Sequence, residues 1–133
     1  MVSGGARVIL LDTSVLIGSL TGDQRLAPSL RRAIEEGERL LLPSIVLYDW
    51  LRGARSRQEI ALQEAVVPSE SAIPYGYAEA ALSARLYRSL RRPRGREIDL
   101  AIAACALTRD ASLWTSNRKD FEDIPKLQLY VAA

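Results

Sequence analysis

The chain has 133 residues, 48% of them hydrophobic, enough for one domain with a real core, and residues 1–133 are read as a single domain. It has no histidine and one cysteine, which excludes an intramolecular disulfide framework and leaves zinc sites and Ser-His-Asp triads without their usual parts. The formal net charge is only +2, yet Lys119 and Lys126 are the only lysines among 18 basic residues, and arginine's planar fork suits bidentate phosphate contacts.

Met1 to Arg7 carries no long apolar stretch, and the run that follows stops at Asp12, too soon for a signal peptide or a membrane span; a cytoplasmic protein without membrane attachment is expected. Val8-Ile9-Leu10-Leu11 reads as a buried strand ending on Asp12 and the hydroxyl pair Thr13-Ser14. Ser14 to Ser19 can make a helical turn. Pro28 opens a helix in which Leu30, Ala33 and Ile34 share a face until Gly37. Arg39 to Leu42 is a short strand closed by Pro43, and Ser44 is placed to cap a helix carrying Asp49. Arg57 to Val67 reads as a solvated helix broken by Pro68-Ser69-Glu70-Ser71.

A second long helix starts at Tyr75 or Tyr77, repeats Ala78, Leu82, Leu86 and Leu90 at i+4, and ends near Pro93-Arg94-Gly95. Glu97 to Thr108 is a small, alanine-rich helix on which Cys105 shares a face with Ile98 and Ile102, as a buried structural thiol does. Ser112 to Thr115 and Leu127 to Val131 read as two further strands, separated by a polar turn through Asn117, Lys119 and Asp120. This alternation predicts an α/β fold with a central, mainly parallel sheet covered on both faces, where ligands gather at the carboxyl ends of the strands. Asp12 and the Asn117 to Asp120 turn both fall at such ends.

Taken singly, each acid has an ordinary explanation. Asp12 can be a cap, Asp99 a favourable charge in the first turn of a helix, Asp49 the partner of Arg52, and Asn117 and Asp120 turn formers. Together they suggest one anionic site. Carboxylates gathered out of water repel one another, a divalent cation relieves that repulsion, and oxygen donors without histidine favour Mg2+ or Mn2+. Arg85, Arg88, Arg91, Arg92, Arg94 and Arg96 fall in one short stretch, either a solvated helix face or a groove that grips a nucleic-acid backbone.

Four segments in order carry a resemblance: Leu11-Asp12-Thr13-Ser14-Val15-Leu16-Ile17, Ser44-Ile45-Val46-Leu47-Tyr48-Asp49-Trp50-Leu51-Arg52-Gly53, Ile98-Asp99-Leu100-Ala101-Ile102-Ala103-Ala104, and Thr115-Ser116-Asn117-Arg118-Lys119-Asp120-Phe121. Over nearly its whole length the chain resembles the PIN-domain ribonucleases, and in particular the VapC-type toxins of toxin-antitoxin pairs. The resemblance implies a three-layer α/β/α fold and a Mg2+- or Mn2+-dependent endoribonuclease. Its acids would be Asp12, Asp49, Asp99 and Asp120, with Asn117 the other occupant of the fourth position. Thr13 or Ser14, and Thr115, would support them through hydroxyl hydrogen bonds, while Arg85, Arg88, Arg92, Arg94 and Arg96 would bind RNA. It further implies a homodimer and a cognate VapB-type antitoxin. The second acid of the family is usually glutamate; Asp49 is one methylene shorter, which bears on metal reach and activity.

Two alternatives, one an enzyme class and one a binding module, fit less well. A phosphatase-like hydrolase with a strand-end nucleophile needs a second Asp where Ser14 stands, and a nucleotide-binding module needs a Gly-rich loop after the first strand, where Gly18 and Gly22 are isolated. The standing alternative is a catalytically weak or inactive PIN-like module that binds RNA or protein, with Asp49 and Asn117 as its signs of degeneracy. A nuclease directed to DNA would use the same chemistry.

Overall fold

The computed structural model describes residues 7–132. Three strands form its sheet: β1 (Val8–Leu11), β2 (Arg39–Leu41) and β3 (Ser112–Trp114), in the order β2-β1-β3, with both pairings parallel. Six helices accompany them: α1 (Thr13–Leu20), α2 (Ala27–Glu35), α3 (Ser44–Leu51), α4 (Arg57–Val66), α5 (Tyr77–Ser89) and α6 (Glu97–Thr108). The chain leaves β1 toward β2 and later crosses back over β1 to reach β3. Crossovers of this kind are right-handed, so a reversal of direction lays helices on opposite faces of the sheet. Ile9, Leu10 and Leu11 are all fully buried, as a central strand covered on both faces must be.

Most elements follow from local chemistry. Gly37 accepts a positive φ of 78° just past α2, where other residues are strained. Pro93 has no N–H to donate to the Ser89 carbonyl, and α5 stops at Ser89, short of the expected Pro93 region. Ser44 does not cap α3: the preceding Pro43 is the extended N-cap residue, and the Ser44 N–H donates to the Ile73 carbonyl at 2.8 Å. Ile34 lies on the side of Leu30, both lining a cleft bordered by α1, α2 and α4, but it remains 47% exposed where Leu30 and Ala33 are buried. Cys105 is fully buried on α6, whose residues 100–106 are all core and whose alanines let α5 pack closely.

Leu127 to Val131 is not a strand. It makes one parallel bridge, Leu129 to Leu113, with the Leu113 N–H donating to Gln128 O at 2.8 Å and the Tyr130 N–H donating to Leu113 O at 2.7 Å. The reason lies in β3. Backbone groups alternate between neighbours, so a three-residue strand already paired with β1 offers only its middle residue on the other edge. Among the described residues no helix is long and apolar enough to cross a membrane.

Candidate active site

The register sets Leu11 opposite Trp114, so Asp12 and Thr115 come side by side where both strands end. This is the point at which the connections leave in opposite directions, the crevice where open α/β sheets take their ligands. The Asp12 N–H still donates to the Trp114 carbonyl at 3.0 Å, and both Asp12 and Thr115 are buried. Asp12 Oδ2 accepts two hydroxyl bonds, at 2.7 Å from Ser14 Oγ and 2.6 Å from Thr115 Oγ1. Each hydroxyl is itself oriented, because the Ser116 N–H donates to Ser14 Oγ and the Asn117 N–H to Thr115 Oγ1, both at 2.9 Å. Their protons are thereby aimed at Asp12. Thr13 Oγ1 is buried without a hydrogen-bond partner, so of the two neighbouring hydroxyls it is Ser14 that supports the acid.

Asp99 enters from the first turn of α6. Burial, then the negative charges of Asp12 and Asp120, push its carboxyl up to about 6; Arg96 opposes the shift and Asp49 adds to it. The three other acids therefore act on Asp99 through space, although they come from β1, α3 and the turn after β3. Asp49 is half-buried, and its Oδ1 lies 2.6 Å from Arg52 Nη2, the ion pair that sequence spacing allows. Asp120 is exposed in a short 3-10 turn, Arg118–Asp120. Asn117 precedes that turn and reaches the site through its backbone N–H.

The arginines divide. Arg85, Arg88, Arg91, Arg92 and Arg94 are exposed. Arg96 instead donates to both carboxylate oxygens of Asp123, at 2.6 and 2.9 Å, and to the Asp120 carbonyl at 2.8 Å, which fastens the start of α6 to the turn after β3. Asp123 was not singled out from the sequence, since nothing local signals a partner so distant in the chain. Arg91, Arg92, Arg96, Lys119, Asp120 and Asp123 line a cleft of about 430 Å3. Arg88 lines another, of about 470 Å3, with Tyr75, Tyr87 and Glu97. Arg85 and Arg94 border neither.

The donor set is carboxylate and hydroxyl oxygen, which fits a hard divalent cation, and the Asp99 carboxyl is raised by burial first and then by repulsion from Asp12 and Asp120, which such a cation would relieve. Among the described residues no group of three acid, histidine or cysteine side chains stands ready to hold a metal.

The PIN-domain profile matches residues 9–127. The chain belongs to the PIN-domain family. This PIN domain is 32% identical over 125 residues to Ribonuclease VapC19 of Mycobacterium tuberculosis, a match covering 90% of the chain and 96% of that protein. Its fold is similar to that in the crystal structure of DNA-bound VapBC from Salmonella typhimurium, with a TM-score of 0.76 at 22% identity, covering 93% of this chain and 97% of that one. The structure of VapBC2 from Rickettsia felis bound to a promoter DNA fragment gives a TM-score of 0.71 at 19% identity, with 95% and 99% covered. Divalent-metal use is general among PIN ribonucleases of this type.

Proposed function

We propose that this PIN domain is the endoribonuclease toxin of a type II toxin-antitoxin pair, hydrolysing RNA phosphodiester bonds with Mg2+ or Mn2+ held by Asp12 and Asp99. The observation that supports the assignment is the arrangement at the strand ends: a buried Asp12 that accepts two hydroxyl hydrogen bonds, and an Asp99 whose carboxyl is pushed up to about 6 by burial and by the charges of Asp12 and Asp120. The likeness to Ribonuclease VapC19 supports RNA as the substrate.

Ser14 and Thr115 hold the Asp12 carboxylate by one oxygen. Asp120 is assigned the fourth acidic position as the charged one of the two candidates, while Asn117 contributes the backbone N–H that orients Thr115 Oγ1. Asp49 adds charge from α3. Arg91, Arg92 and Lys119 hold the RNA backbone in the adjoining cleft, and Arg96 keeps that cleft in shape. Asp12 and Asp99 would hold the cation, whose chemistry when bound would be to activate a water and polarise the phosphodiester. The partners are a cognate VapB-type antitoxin and a second copy of the chain, and the working compartment is the cytoplasm.

The test is cleavage of a panel of single-stranded and structured RNAs by antitoxin-free protein with Mg2+, Mn2+ or chelator, beside Asp12→Asn and Asp99→Asn. Chelator-sensitive cuts with 5′-phosphate ends, absent from both variants, are expected. Folded, metal-loaded protein that binds RNA but cuts nothing in the panel would favour the binding-only reading, to which the short Asp49 and its Arg52 partner lend weight.

A further inference from the structure

Asp49 does not stand free at the acidic site. Its side chain is only 20% exposed and its Oδ1 lies 2.6 Å from Nη2 of Arg52, three residues on at the C-cap of α3. Arg52 is 54% exposed, closes the C-terminal end of α3, where the helix dipole favours a cation, and holds its guanidinium carbon 5.4 Å from the centre of the Tyr48 ring. The charge of Asp49 nonetheless reaches Asp99. One carboxylate thus faces two cationic claims: a guanidinium fixed in its own helix, and any ion that settles among the acids.

We propose that Arg52 is an internal latch on the acidic site, occupying Asp49 while no metal is bound and giving it up to the divalent cation, so that this contact sets how tightly the protein takes metal. A half-exposed ion pair is weak enough for a divalent ion to displace, yet it is the nearest compensation for Asp49 without one. On release the guanidinium keeps its place over Tyr48 and lies beside the site as a free cation. The inference rests on the metal-binding reading above.

Mn2+ affinity of the full chain, read by calorimetry or by the loss of the free-ion electron paramagnetic resonance signal, tests it without any need for cleavage. Arg52→Met keeps a side chain of similar length and removes the competing charge; it should tighten Mn2+ roughly two- to fivefold. Removing a positive charge also helps a cation from a distance, so the decisive comparison is made in the Asp49→Asn background. There a latch predicts that Arg52→Met gains little. An equal gain with and without the Asp49 carboxylate, or no gain in the single variant, overturns the latch while leaving the metal site intact. Absence of any Mn2+ binding that Asp12→Asn removes overturns the metal site itself.

Discussion

At the scale of single residues, the site is organised around one carboxylate oxygen. Two hydroxyls donate to Asp12 Oδ2, and two backbone N–H groups orient those hydroxyls. Ser14→Ala or Thr115→Ala removes one donor from a carboxylate that keeps the other. Each should lower cleavage about 10- to 100-fold, the usual cost of losing a group that orients a metal-binding side chain, with a stability loss of only about 1 kcal/mol. Steady-state cleavage and urea unfolding check the two halves. Asp99 makes a pH prediction. A carboxyl raised in the folded state contributes stability that is complete below its unfolded value of about 4 and is lost as pH rises through about 6. In chelator at neutral pH, Asp99→Asn should therefore melt higher than the unmodified chain, with the gain vanishing below about pH 4. A variant that melts lower throughout would show that the carboxyl is not held against its own charge.

At the scale of elements, the sharpest tie is one that carries no chemistry. Glu79, buried at the start of α5, accepts from the Gly76 N–H at 2.9 Å, from Thr108 Oγ1 at 2.7 Å and from Arg109 Nη1 at 3.1 Å, and so binds the N-terminus of α5 to the end of α6. The Thr108 hydroxyl above all, with the Gly76 N–H and Arg109 assisting, holds its carboxyl down to about 2 against the effect of burial. A lowered carboxyl contributes stability above its unfolded value of about 4.3 and loses it as pH falls through about 2. Glu79→Ala should cost about 1 to 3 kcal/mol at neutral pH by urea unfolding, and the difference from the unmodified chain should shrink on acidification below about 4. Cleavage per folded molecule should not change. The sequence announced α5 and α6 through their repeating apolar positions but not this tie, because an acid in the first turn of a helix looks the same whether it meets solvent or the end of another helix. The same limit applies to Leu127 to Val131: its alternation suits a strand, while the number of bridges it makes depends on the length of β3.

At the scale of the whole molecule, the charges of Asp12 at the end of β1, Asp49 on α3 and Asp120 in the turn after β3 all reach Asp99 on α6, because a parallel sheet reverses its winding direction at β1. A cation that binds this assembled site and not the unfolded chain must stabilise the fold. Mn2+ at about 100 times its dissociation constant should add about 2.7 kcal/mol, a shift that thermal melts can follow and that Asp12→Asn should abolish. The strand that ends before Asp12 and the helices carrying Asp49 and Asp99 were legible in the sequence, because apolar periodicity and helix punctuation are local properties, and the family was legible through the four motifs that resemble it. Only the tertiary structure decided that Ser14 and not Thr13 supports Asp12, that Arg96 is committed to Asp123, and that Asp49 is held by Arg52 while its charge still reaches Asp99. Hydrogen-bond geometry and through-space charge depend on which chain ends packing brings within a few ångströms, and spacing along the sequence does not encode that distance.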